Sequence, residues 1–301
     1  MAAEIGRVVT AMATPFDDAG DVDYQRTRQL ASALIASGSD ALVVTGTTGE
    51  SPTLSNEEKL TLYQEVRAAV GSNVPLIAGS TNYNTAESIE LSREAARLGM
   101  DAILGTVPYY NKPPQEGLYQ HFKALAEAVP LPMILYNVPT RTVTNMSFET
   151  TIRLSEIDNI IGIKEASGNL EGIAKIIAGS RPGFRVWSGD DPMTLPILSI
   201  GGYGVVSVAS HLVGNQIKEM TRRFIDGDVG DAAAMHRNML PLVNALFVTT
   251  SPIPLKYALG RVGFPIGACR LPLVNIDTAS AAIVDAELMK VHIDLPVTAI
   301  V

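Results

Sequence analysis

Cysteine is almost missing from this 301-residue chain: Cys269 stands alone, so no disulfide within the chain can brace the fold. Histidine is scarce as well. The four present, His121, His211, His236 and His292, are scattered without HExxH or Cys-pair spacing, so core or surface roles are expected and a metal site is not. Positive charge is in deficit: 23 Lys and Arg stand against 31 Asp and Glu, a net charge of -8. With no basic cluster, nucleic acid and anionic membranes are excluded as expected partners, while small anions remain open through local cations. A secretory apolar core at the start and an apolar run of membrane-spanning length are both absent. A cytoplasmic protein acting on small molecules is the expectation.

What is present is apolar sequence, 47% of the chain, with 18% charged residues, ample for one large domain or a domain plus an appendage. Eight short β-rich runs recur: RVVTAMATPF, ALVVTGTTGE, VPLIAGS, DAILGTVPYY, PMILYNVP, IIGIKEAS, FRVWSGDD and GYGVVSVAS. Helical periodicity fills the gaps between them. Ser55 with Glu58 three residues later reads as a capping box opening a helix that stops at Gly71. Strands apolar on both faces, alternating with helices, suit a parallel sheet, and eight such units predict a (β/α)8 TIM barrel over 1–227. Residues 228–301 are expected to form a C-terminal helical domain, with helices over 229–248, 252–262 and 277–290.

Barrels of this kind build their sites at the C-terminal ends of strands and in the loops that follow. Lys164 ends the sixth run, where losing hydration disfavours the ammonium and favours a nucleophilic amine. It could add to a ketone as a Schiff base, or pair with Glu165 or another carboxylate and do no chemistry. Tyr136 ends the fifth run and is either a packed tyrosine or an acid-base group for that imine. Thr47 and Thr48, in GTTGE, offer hydroxyls on a turn whose glycines admit a ligand carboxylate; the alternative is a plain turn with Glu50 and Ser51 capping the next helix. Tyr109 and Tyr110 follow the fourth run. Arg141 carries a fork that fits a carboxylate of a keto or amino acid, or else a surface ion pair. Asp190 and Asp191 in SGDD occupy the place where phosphate-binding barrels carry a glycine-rich anion loop, which argues against a phosphorylated substrate. They are expected to cap the next helix. GGYGVV at 201–206 precedes a strand, where a dinucleotide fingerprint must follow one.

Taken together, GTTGES, TVPYYNKPPQEGLYQHF, LYNVPTRT, GIKEASG, WSGDDP and SPIPLKYAL resemble the dihydrodipicolinate synthases nearly from end to end. These belong with the pyruvate-dependent class I aldolases and lyases that include N-acetylneuraminate lyase. The paired threonines and Arg141 resemble the synthases rather than the sialic-acid lyases. The resemblance implies a Schiff base between Lys164 and pyruvate, condensation with aspartate 4-semialdehyde, and no cofactor beyond that covalent link. It implies a proton relay of Tyr136, Thr48 and Tyr110, pyruvate held by Thr47, Thr48, Gly189 and Val206, and the semialdehyde carboxylate held by Arg141. It also implies that Tyr110 crosses a subunit interface, in a homotetramer built from tight dimers. Asn56 and Lys59 stand where lysine-inhibited members carry histidines, and Tyr83 stands near an asparagine position, so feedback by L-lysine is expected to be weak. A related keto-acid aldolase using a sugar-derived aldehyde, or a noncatalytic keto-acid-binding barrel, are the alternatives.

Overall fold

Each of the eight apolar runs forms a strand in the computed structural model, which describes residues 4–296. They are β1 (Val8–Ala11), β2 (Ala41–Val44), β3 (Leu76–Ala78), β4 (Ala102–Thr106), β5 (Met133–Asn137), β6 (Ile160–Glu165), β7 (Arg185–Ser188) and β8 (Gly204–Ser207). Every strand pairs in parallel with the next, and Val9 opposite Val206 joins β1 to β8, closing the barrel. The (β/α)8 expectation holds.

Helices link the strands: α1 (Tyr24–Ala36), α2 (Asn56–Val70), α3 (Thr85–Arg97), α4 (Gln115–Ala128), the short α5 (Pro139–Thr142) and α6 (Phe148–Ser155), α7 (Leu170–Gly179) and α8 (Thr194–Ser199). After β8 come α9 (Ser210–Ile225), α10 (Val229–Ala245), α11 (Ile253–Arg261) and α12 (Thr278–Leu288). The capping box forms as expected, with Ser55 Oγ accepting from Glu58 N and Glu58 accepting from Ser55 N, and α2 ends at Gly71, whose φ of 72° suits glycine. The last three helices begin within a residue of the expected starts and end one to three residues early. Among the described residues, no helix is long and apolar enough to cross a membrane.

Alternation along each strand divides the apolar residues into two cores. Val9, Val43, Ile77, Leu104, Ile134 and Trp187 fill the barrel interior. Leu42, Leu76, Ile103, Leu135, Ile163 and Val205 face the helical layer. Strand β6 breaks this alternation. Its register against β5 runs Met133 to Ile160 and then Ile134 to Gly162, so Ile161 is an extra residue, a bulge. Ile160 packs outward and Ile161 inward, and the extra residue returns Lys164 to the inner face beside Tyr136. Uninterrupted alternation from Ile160 would have pointed Lys164 at the helices.

Candidate active site

Lys164 and Tyr136 are register partners on neighbouring strands, both buried at the C-terminal mouth of the barrel. Lys164 Nζ lies 4.1 Å from the centre of the Tyr136 ring, a cation–π contact when the amine is charged. Two glycines admit close packing here, one of them against the lysine itself. A Cβ on Gly162, one layer below, would meet Arg185 O at 2.3 Å and the Trp187 indole at 2.6 Å. A Cβ on Gly189 would lie 3.0 Å from Lys164 Cγ and 2.9 Å from Ala166 Cβ. Gly189 therefore clears the stem of Lys164. Val206 lines the same interior as Tyr136.

A pair between Lys164 and Glu165 is not what the fold makes. Glu165 points to the outer face, where its carboxylate accepts from Asn137 Nδ2 at 3.1 and 3.3 Å and from Ser167 N at 2.7 Å. Burial pushes its pKa above the ordinary carboxylate range. Asn137 in turn bonds Asn145 and Met146 N, tying down the segment that carries Arg141. Burial raises the pKa of both Asp190 and Asp191, the charge of Asp191 raises Asp190 further, and Lys164 draws both down.

Neither aspartate caps the short turn Asp191–Met193. This corrects the expectation for both. Asp191 reaches to the end of the neighbouring β8, accepting from Ser207 Oγ, from Val208 N at 2.9 Å and from Ala209 N at 3.1 Å, just before α9. Three donors from a neighbouring loop outcompete the local amides.

Thr47 and Thr48 lie in the turn after β2, Thr48 buried and Thr47 half-buried, with Glu50 N donating to Thr47 O at 3.0 Å. Glu50 does not cap the following turn. Its carboxylate instead meets the Lys256 ammonium of α11 at 2.7 Å, with both side chains buried. The sequence reading passed over this pair; the one signal available was a lysine inside the apolar run PIPLKYAL. Arg141 is exposed, and its Nη2 donates to Ser251 O at 3.2 Å. Tyr110 is 91% exposed with φ of 69°, so this chain does not fold it onto its own Lys164 and Tyr136. Tyr109 packs edge-on against Tyr83, centroids 5.0 Å apart. Nearby, burial lowers the pKa of half-buried Lys59 while Glu87 raises it.

Among the described residues, no three His, Cys, Asp or Glu side chains gather as a metal ligand set. His211 is a buried staple: its Nε2 accepts from Ala13 N at 3.1 Å and its Nδ1 faces Val208 O at 2.8 Å. Burial lowers its pKa to about 4.

The family model described as the dihydrodipicolinate synthetase family matches residues 4–290. A 4-hydroxy-tetrahydrodipicolinate synthase of Dehalococcoides mccartyi is 55% identical over 294 residues, 98% of this chain and 99% of that protein. Among solved structures, a dihydrodipicolinate synthase of Cyanidioschyzon merolae with lysine bound superposes with a TM-score of 0.94 at 47% identity, covering 95% of this chain and 98% of that one. A dihydrodipicolinate synthase from Bacillus anthracis gives a TM-score of 0.94 at 45% identity, covering 96% and 99%.

Proposed function

The chain belongs to the dihydrodipicolinate synthetase family, and from that premise we propose that it condenses pyruvate with L-aspartate 4-semialdehyde to give 4-hydroxy-tetrahydrodipicolinate. It is a lyase of the class I aldolase type. The observation that carries the reading is the placement of the Lys164 amine against Tyr136 inside an apolar barrel mouth, with Glu165 turned away.

In this reading Lys164 Nζ attacks the keto carbon of pyruvate, and the carbinolamine loses water to leave an imine. Loss of a methyl proton gives the enamine, whose carbon attacks the aldehyde of the second substrate. The amino group of that substrate then adds to the imine carbon, closing the ring and releasing Lys164. Each stage moves protons, and Tyr136 is the acid-base group beside the amine, relayed through Thr48 and Tyr110. Thr47, Thr48, Gly189 and Val206 bound the pyruvate pocket, and Arg141 receives the semialdehyde carboxylate. Tyr110 serves the site of a neighbouring protomer, in a tetramer built from tight dimers. The enzyme works in the cytoplasm, in the lysine and diaminopimelate route.

Borohydride added with pyruvate tests the chemistry: one reduced pyruvyl group per chain is expected, on Lys164, located by peptide mass spectrometry. Labelling of a different lysine would overturn the assignment. A coupled assay then compares aspartate semialdehyde with sugar-derived aldehydes, and preference for the latter would reassign the enzyme to another aldolase of the same chemistry.

A further inference from the structure

The turn that carries Thr47 and Thr48 begins and ends on left-handed residues that are not glycine, Thr45 at φ 58° and Glu50 at φ 55°. L side chains avoid this region, so contacts must hold each end. At the front, Thr45 Oγ1 meets the Tyr63 hydroxyl at 2.9 Å and donates to Gly79 O at 3.1 Å. In the middle, Thr14 Oγ1 donates to Gly49 O at 2.7 Å. At the back, the anchor comes from outside the barrel strands. Glu50 Oε1 lies 2.7 Å from Lys256 Nζ, and Glu50 Oε2 accepts from Arg270 N at 2.9 Å. The two charged side chains are only 1% and 3% exposed. Lys256 also donates to Ala268 O at 3.0 Å and sits 4.0 Å over the Phe16 ring. The Arg270 side chain clasps the segment that follows the turn, donating to Thr53 O and Glu58.

We infer that the buried Glu50–Lys256 pair, with the Arg270 amide, is the positioning device of the Thr47–Thr48 turn, so that α11 and the coil after it set the geometry of the proton relay. The inference rests on the relay role proposed for those threonines. Two physical points carry it. A buried ion pair contributes little stability beyond what an apolar pair of the same shape would give, so stability alone does not account for one here. The bond from Glu50 N to Thr47 O closes the turn, so the contacts that hold the Glu50 side chain at its left-handed end also hold the backbone that carries Thr47 and Thr48. Displacement of a reacting group by about 1 Å costs on the order of 100-fold in rate.

The test compares Glu50→Gln/Lys256→Met, which leaves no unpaired buried charge, with Thr48→Val and with all three changes together. The expected result is a thermal midpoint above the assay temperature, kcat lowered about 10- to 100-fold in the charge-free pair, and a combined variant little worse than Thr48→Val alone. Full kcat in the charge-free pair, or losses that multiply in the combined variant, would overturn the inference while leaving the relay intact. If Thr48→Val itself keeps full kcat, the relay reading fails and the inference falls with it, a distinguishable outcome. Should the charge-free pair not fold, Glu50→Asp keeps the charge but withdraws it by one methylene, and the same comparison with Thr48→Val decides.

Discussion

The side chain of Arg141 ends on a backbone carbonyl, Ser251 O, and among the described residues it meets no carboxylate. Its charge is therefore not neutralised by that contact, which suits a role toward a substrate carboxylate. Arg141→Ala is expected to lower kcat/KM for the semialdehyde by about 10- to 100-fold, the worth of a hydrogen bond to a charged group, with borohydride trapping of pyruvate near wild type. Equal damage to both steps would contradict the assignment. His211 gives a prediction about pH. Its folded pKa of about 4 lies below the ordinary value near 6.5, so the unfolded chain takes up a proton that the folded one refuses. The stability contributed by neutral His211 is complete above about pH 6.5 and is lost as pH falls toward 4, on the order of 3 kcal/mol. His121 acts in the same direction, whereas the raised pKa values of Glu165 and Asp191 act oppositely. The difference between wild type and His211→Gln isolates the effect: the thermal midpoint of the variant should fall less steeply between pH 6.5 and 4.

At the scale of elements, the region that the family resemblance marks for lysine is a face shared by α2 and α3 with the loop before α3. Lys59 comes from α2, Glu87 from the first turn of α3, and Tyr83 from the loop, 48% exposed. Glu87 accepts from Asn82 and Asn84 and already acts on Lys59. A lysine effector would bring a second ammonium to a carboxylate that has one. Like charges about 5 Å apart repel by about 3 kcal/mol at an effective dielectric near 20, a factor of about 100 in affinity. Weak or absent inhibition by L-lysine is therefore expected in a titration at about pH 8 with subsaturating pyruvate. Strong inhibition at submillimolar lysine would refute it, and would mean that Lys59 turns away from the effector.

For the molecule as a whole, the feature that one chain leaves unfinished is Tyr110, 91% exposed, with Val143, Leu271 and Val274 also exposed. A relay that needs Tyr110 must then take it from another copy. Mixing Tyr110→Phe chains with Lys164→Ala chains, each inactive alone, should restore activity, because a hybrid pair holds one complete site. Hybrids shown to form by mass spectrometry and still inactive would remove the shared-site reading.

Fold class was legible in the sequence because it is carried by local pattern, and the candidate site residues could be placed on that pattern. Eight apolar runs bounded by turn residues fix the strands, and Lys164, Tyr136, Thr48 and Arg141 stand out as candidates from their places at or after strand ends, while the relay role of Thr48 comes from the family resemblance. Side-chain direction was not legible in β6. There the alternation rule fails by one residue, and only pairing with β5 places the bulge at Ile161 and turns Lys164 inward. Long-range partners were equally hidden. Asp191 serves the amides before α9 rather than its own turn, and Glu50 finds Lys256 rather than a helix end. A buried carboxylate takes the best donors that reach it in space, and which donors those are depends on how the barrel closes and where α11 packs.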